Sequence, residues 1–382
     1  MRNGKVIIWI TAICVTVTQA SNVLAGDWQE FRLYATEDDQ YAPDIYGNVI
    51  VWEQFRVDTD YDIYGADITD SLNPFVFVID ANTDHQLVPS IYKNTVVWQS
   101  YVETDWDIWA ADISDQNTPQ HYPVSEYIDI NEIAPAVHGN IVIWQDDYLG
   151  DWDVLGADIT DLSSPAEFFI ATYDYNQCSP ALYRNTVVWH DDFLGDWDLF
   201  AADIWQRNRP VEFPVSLVEY DQIKPAIYGS TIVWQDDFSG NWDIYATDIS
   251  DPCKTVELAI TTDVSWQINP DIDGNIIVWQ DYRNDNWDIY GYNLTTRQEF
   301  RITDDPSDQE NPAISGNVVV WEDNRNEYWN IYVVILDGPE VAQCTSLVPG
   351  DIDGDCKFNF IDFTVMAGSW LECDLEPEQA CW

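Results

Sequence analysis

Basic residues are scarce in this chain: Lys and Arg together number 15 among 382 residues, against 68 Asp and Glu, for a formal charge of −53. Such a surface cannot neutralise phosphates, which excludes nucleic acid as a partner. Histidine is rarer still, with four: His85, His121, His138 and His190. They are scattered along the chain with no spacing that pairs them, so neither a His-based metal site nor a His general base is legible. A Gly-rich phosphate loop and a nucleophile elbow are both missing. No long apolar run follows residue 25, so nothing beyond that point could span a bilayer as a helix. Carboxylates abound, and no acid pair can be singled out among so many.

The first 25 residues read differently from the rest. Arg2 and Lys5 make a short basic start, residues 6–17 are mostly apolar, and Val23-Leu24-Ala25 offers a cleavage point before Gly26. This is the pattern of a signal peptide over 1–25, and it implies a secreted, extracellular or cell-surface protein, or a periplasmic one. The apolar run is shorter than the roughly 20 residues a membrane anchor needs. Cleavage would remove Cys14 and leave Cys178, Cys253, Cys344, Cys356, Cys373 and Cys381, an even count compatible with disulfides in an exported protein.

What the chain has in quantity is Trp (20) and Tyr (21), and they recur at a fixed period. The segment Pro135-Ala136-Val137-His138-Gly139-Asn140-Ile141-Val142-Ile143-Trp144 returns as Pro225-Ala226-Ile227-Tyr228-Gly229-Ser230-Thr231-Ile232-Val233-Trp234. Seven such units place a first Trp at Trp52, Trp98, Trp144, Trp189, Trp234, Trp279 and Trp321, steps of 42 to 46 residues. A second aromatic follows at Tyr61, Trp106, Trp152, Trp197, Trp242, Trp287 and Trp329, with an Asp directly after it in the first six units and Asn330 in the last. Short β-branched and aromatic runs bounded by Gly, Asn, Asp and Pro are strand punctuation, without helix periodicity. In the fifth unit four strands fit, at about 225–228, 231–235, 242–248 and 256–261. A period near 45 with four strands per unit is that of a propeller blade, so an all-β, seven-bladed β-propeller is expected over residues 26–338. The seventh unit stops after its third strand, whereas Gln29-Glu30-Phe31-Arg32-Leu33 precedes the first unit and matches Gln298-Glu299-Phe300-Arg301-Ile302, the fourth strand of unit six. The N-terminal strand is therefore expected to complete the last blade and remove an exposed sheet edge. Units such as 275–290 resemble the repeat of TolB-type β-propellers, in particular bacterial and archaeal surface proteins. The resemblance implies periplasmic translocation partners, surface adhesins or, in a few lineages, enzymes. The separate N-terminal α/β domain of TolB proper is missing.

After Pro339 the repeat gives way to Asp351-Ile352-Asp353-Gly354-Asp355-Cys356-Lys357-Phe358-Asn359-Phe360-Ile361-Asp362. Asp351, Asp353, Asp355, Asn359 and Asp362 stand at positions 1, 3, 5, 9 and 12 of a twelve-residue loop, with the Lys357 carbonyl at position 7, an oxygen shell suited to Ca²⁺. Phe363, Met366, Ala367, Trp370 and Leu371 follow at helical spacing, so residues 339–382 are expected to form a small Ca²⁺-binding loop-helix module. The segment resembles a dockerin repeat, which implies tethering through a cohesin-like module. It departs from the pattern in having Cys356 at position 6 and only one repeat. Four cysteines here allow three pairings, among them Cys356–Cys373 with Cys344–Cys381.

Function is expected at a loop face. Three residues before each blade's Pro stand Gln40, Gln86, Glu132, Gln177, Gln222, Gln267 and Gln309, a candidate ligand-binding ring at the channel mouth. The loops between second and third strands carry Asp146-Asp147-Tyr148, Asp191-Asp192-Phe193 and Asp236-Asp237-Phe238. Amides, carboxylates and aromatic faces together suit sugar hydroxyls, cations or cationic peptides. The reading is a non-catalytic binding protein for a polysaccharide or a protein partner; the alternative is a glycoside hydrolase or polysaccharide lyase on the same scaffold. The repeated Trp and Asp are expected to hold the blades together.

Overall fold

The computed structural model describes residues 28–56, 60–251 and 255–336. These fold into seven four-stranded antiparallel sheets, 28 strands in all. Blades one to six span residues 40–80, 86–125, 132–171, 177–216, 222–259 and 267–301. Blade seven takes three strands from residues 309–335 and its fourth from Glu30–Arg32. That N-terminal strand pairs Glu30 with Val334, Phe31 with Val333 and Arg32 with Tyr332, closing the ring as expected. Side chains reinforce the closure: Arg325 reaches Glu30 at 2.8 Å, and Arg32 Nη1 donates to Asn330 Oδ1 at 3.2 Å.

First strands of successive blades touch one another around a closed circuit, so they form the innermost ring. Each carries a Pro, which lacks the N–H a ladder needs, and the chain answers with a β-bulge at that point. The residue before the Pro sits at positive φ in every blade: Ala42, Val88, Ala134, Ser179, Lys224, Asn269 and Asn311. The bulge frees a backbone N–H to leave its own sheet. Ala42 N donates to Glu322 Oε1 of blade seven at 2.7 Å, and Val88 N to Glu53 Oε1 of blade one at 2.6 Å. Ala134, Ser179, Asn269 and Asn311 do the same to Gln99, Gln145, Gln235 and Gln280. In six of the seven blades the residue after the Trp thus ties one blade to the next.

Second strands are buried on both faces, as their unbroken apolar runs require. The seven Trp of the repeat are at most 1% exposed and lie between sheets, where each buries area worth about 4–6 kcal/mol in gross transfer energy. The apolar core is consequently seven slabs between blades; one of them joins Val51, Ile63 and Ile79 of blade one to Ile91, Trp98 and Ile113 of blade two. In blade five the first three strands run Gln222–Tyr228, Thr231–Asp236 and Asp243–Asp248, while the fourth is only Leu258–Ala259, shorter than the sequence suggests. Among the described residues no helix is long and apolar enough to cross a membrane.

Candidate functional site

The loops joining second to third strands and those entering each blade are bound together on one face. Asp147 accepts from Asn131 N and Asn131 Nδ2, both at 2.8 Å, and Asp192 accepts from Asn176 N and Nδ2 at 2.9 and 2.8 Å. Asp237 Oδ1 accepts from Asp221 N at 2.9 Å. The preceding Asp of each loop folds the turn: Asp146, Asp191 and Asp236 accept the amides of Tyr148, Phe193 and Phe238. Both Asp residues are therefore occupied in shaping the loop, as expected for Asp at turns. Their work pushes the aromatic tips outward.

Tyr148, Phe193 and Phe238 are 62%, 53% and 58% exposed. Each meets an aromatic from the loop that enters its blade: Tyr127 with Tyr148 at 6.3 Å, Tyr175 with Phe193 at 4.9 Å, and Tyr220 with Phe238 at 6.0 Å between centroids. In blade six Tyr282 instead meets the half-buried Trp287 of its own loop, at 5.0 Å. The result is a crown of exposed aromatic pairs repeated at the blade spacing. The entering-loop partners Tyr127, Tyr175 and Tyr220 are absent from the sequence-derived candidates; Tyr175 and Tyr220 each stand two residues before the blade's first strand, a shared place that could have found them, whereas Tyr127 stands five before.

The proposed ring of Gln40, Gln86, Glu132, Gln177, Gln222, Gln267 and Gln309 lies elsewhere than at an open mouth. All seven are fully buried. Nε2 of Gln222, Gln267 and Gln309 donates to the carbonyl two residues earlier, at 2.6, 2.8 and 2.6 Å, and Gln86 and Gln177 donate likewise to Asp84 and Tyr175. Gln40 bridges Gln54 and Ile331 N at 3.0 Å each. In this arrangement the amides brace the entering loops from beneath and present no surface to a ligand. Glu132 alone is a carboxyl, takes the Ser125 hydroxyl, and is pushed up to about 8, first by burial.

The residues after the repeat Trp add a feature not singled out in the sequence. Gln99, Gln145, Gln235 and Gln280 hold that place in four blades and His190 in one, but Glu53 and Glu322 hold it in the adjoining blades one and seven. Burial raises both to about 7, and each carboxyl raises or is raised by acidic neighbours, Glu310 and Glu53 acting on Glu322. Farther along the first strands Asp44 accepts Ile91 N, and Asp271, also pushed up to about 7 by burial, accepts Ile314 N, both at 2.8 Å. These carboxyls lie in blades six, seven and one, where Glu53 acts on Glu322 and Asp44 on Asp271.

His138 and His190 sit in different surroundings. His138 lies between Tyr92 and Tyr183, with centroids at 4.2 and 4.8 Å, and burial together with Arg184 and Lys93 lowers it to about 4. His190 is buried beside Trp197 and lowered to about 3, chiefly by burial. Both are neutral at physiological pH. Cys178 has a free thiol pushed up to about 12 by burial, then by Asp192 and Asp191, which leaves it unreactive. Among the described residues no group of three or more His, Cys, Asp or Glu is placed to hold a metal ion. The calcium loop of Asp351, Asp353, Asp355, Lys357, Asn359 and Asp362, the tail cysteines, Cys253 and the signal peptide lie outside the described residues.

No family model matches the chain, and no curated protein matches it. Solved structures do. An oligogalacturonate lyase in complex with manganese aligns at a TM-score of 0.60 and 12% identity, over 81% of this chain and 93% of that one. A puromycin-hydrolysing peptidase of Mycobacterium tuberculosis aligns at 0.56 and 12%, over 75% of this chain and 49% of that one, so the chain spans about half the peptidase's length. TolB of Acinetobacter baumannii gives 0.48 and 14%, over 66% and 62%. At such identities the likeness is one of fold alone.

Proposed function

We propose that this protein is an exported, non-catalytic binding protein whose aromatic crown holds a polysaccharide. The observation that carries the reading is the set of exposed aromatic pairs, Tyr127–Tyr148, Tyr175–Phe193 and Tyr220–Phe238, repeated on consecutive blades of one face. Aromatic faces stack on sugar rings, and the tyrosine hydroxyls of Tyr127, Tyr148, Tyr175 and Tyr220 can bond to sugar hydroxyls. A polymer of repeating units suits a repeating surface, since several weak contacts on one scaffold sum to useful avidity. The C-terminal Ca²⁺ loop would serve as a tether, to a cohesin-like module or another surface component. The test is a glycan array probed with the intact protein and with Tyr148→Ala/Phe193→Ala/Phe238→Ala. Retention by the former and loss by the latter supports the reading; equal retention removes the crown from it.

A second reading, a polysaccharide hydrolase or lyase, is favoured by Glu53 and Glu322, two buried carboxyls raised to about 7 on adjoining blades. Against it, both accept backbone N–H groups in the position where four other blades use Gln for the same bond. Glu53→Gln and Glu322→Gln therefore separate the two readings. Unchanged binding with no product formed by the parent protein supports the non-catalytic role.

A further inference from the structure

On the face opposite the crown, the turn between first and second strands and the loop after the third strand follow a repeat from which blade four departs at both places. The turn carries Gly at positive φ in five blades, at Gly47, Gly139, Gly229, Gly274 and Gly316. Blade two has Lys93 there at φ 56° and blade four Arg184 at φ 55°, a conformation that costs a side chain what glycine adopts freely. After the third strand five blades place Thr69, Ser114, Thr160, Ser250 or Thr295, and four of them follow with Asp70, Asp115, Asp161 or Asp251. Blade four reads Trp205-Gln206-Arg207-Asn208-Arg209 instead. The backbone is unchanged by this: Trp205 N donates to Asp203 Oδ1 at 2.8 Å, as Thr69 N does to Asp67 and Ser250 N to Asp248. The fold thus asks for a small hydroxyl residue and finds an indole, 69% exposed.

The departures converge on one place. A cavity of about 460 Å³ is lined by Tyr183, Arg184, Asn185, Thr186, Asp203 and Trp205. A second of about 280 Å³ lies against Trp205, Gln206 and Arg209. Trp205 and Asp203 border both. The Arg184 guanidinium sits over the Tyr183 ring at 5.6 Å, and that ring is backed by Tyr228 and His138. Arg207 Nη1 donates to Asn185 Oδ1 at 3.1 Å, which fixes the amide so that its NH₂ remains as a donor. Among the described residues neither Arg184 nor Arg209 is within ion-pair distance of a carboxylate. In a chain of charge −53, two such guanidinia flanking an open indole are a concentrated exception.

The geometry points to a binding site for an acidic saccharide at blade four: one sugar ring stacks on Trp205, Arg184 and Arg209 pair with carboxylate or sulfate groups on neighbouring units, and Asn185, Thr186 and Asp203 take ring hydroxyls. The cavity volume suits a mono- or disaccharide, and guanidinium is the side chain matched to planar or tetrahedral anions. This site is independent of the crown, and either can fail without the other.

The experiment titrates the intact protein with a tetrameric uronic acid, a sulfated disaccharide and a neutral tetramer, read by tryptophan fluorescence and calorimetry. Trp205→Thr and Arg184→Gly restore residues that other blades use, so both variants are expected to fold, and Arg184→Gly to melt no lower than the parent. Saturable binding of an acidic probe, absent for the neutral one and weakened about tenfold or more by each variant, is the expected result. Whether the uronic acid or the sulfated sugar binds identifies the anion. Equal binding of acidic and neutral probes, binding untouched by both variants, or no saturable binding of either acidic probe would overturn the assignment.

Discussion

Glu132 is the one carboxyl in a buried ring otherwise made of glutamine, and replacing it with Gln should stabilise the protein in a pH-dependent way. In five blades the ring amide donates to the carbonyl two residues earlier, which an ionised Glu132 cannot do; its Oε2 is buried without a partner. Burial raises the Glu132 carboxyl from 4.5 to about 8, so the folded chain holds this proton where the unfolded chain releases it. Native protein therefore binds more protons than unfolded protein between those values. Stability falls as pH rises through that window and the penalty is smallest below 4.5. The penalty works out to about 3 kcal/mol at pH 7 and about 1 kcal/mol at pH 5. Glu132→Gln removes it and supplies the missing donor. For a propeller of this size, about 3 kcal/mol corresponds to roughly 3–5 °C in Tm. Thermal melts of both proteins at pH 5 and pH 7.5 should show a stabilisation several-fold larger at the higher pH. An equal shift at both, or a fall in Tm at pH 7.5, would refute the reasoning.

Removing residues 28–34 takes away the fourth strand of blade seven, and differential scanning calorimetry should show a lower Tm; an unchanged melt would contradict the closure seen in the pairing of Phe31 with Val333. Trp279 Nε1 donates to Asp281 Oδ2 at 3.0 Å, whereas the buried Trp144 Nε1 has no partner. Trp279→Phe should accordingly cost about 1–2 kcal/mol more than Trp144→Phe in denaturant unfolding, and equal costs would count against the indole bond. In the C-terminal tail Asp351→Ala with Asp355→Ala should abolish Ca²⁺ binding by the intact protein in calorimetry, and retained affinity would rule out the loop assignment.

The blade architecture was legible because each of its determinants is local: a Trp every 42 to 46 residues, turn residues between β-branched runs, and a leading strand that matches the fourth strand of unit six. The ring of Gln40 and its counterparts was legible as a pattern but not as a place. Simple alternation puts Gln40 on the same face as Asp44 and Tyr46, toward the channel. The bulge at Ala42 inserts one residue before Pro43, inverts that alternation and turns Gln40 into the blade. The same inversion leaves Tyr41 only half-buried. Tyr127 has no counterpart at its place in the other entering loops, and only tertiary structure brings it to Tyr148, whereas Tyr175 and Tyr220 share a place two residues before their blades. Glu53 and Glu322 could have been found from sequence, as the two acidic departures from an amide column.

The central claim is that the crown retains a polysaccharide without breaking it. The most direct measurement incubates the intact protein with the glycan that it retains, then records the glycan's mass distribution alongside the binding isotherm. Saturable binding that disappears in Tyr148→Ala/Phe193→Ala/Phe238→Ala, with the glycan recovered intact, is the expected result. Shortened or unsaturated products would contradict it and move the function to the buried carboxyls Glu53 and Glu322.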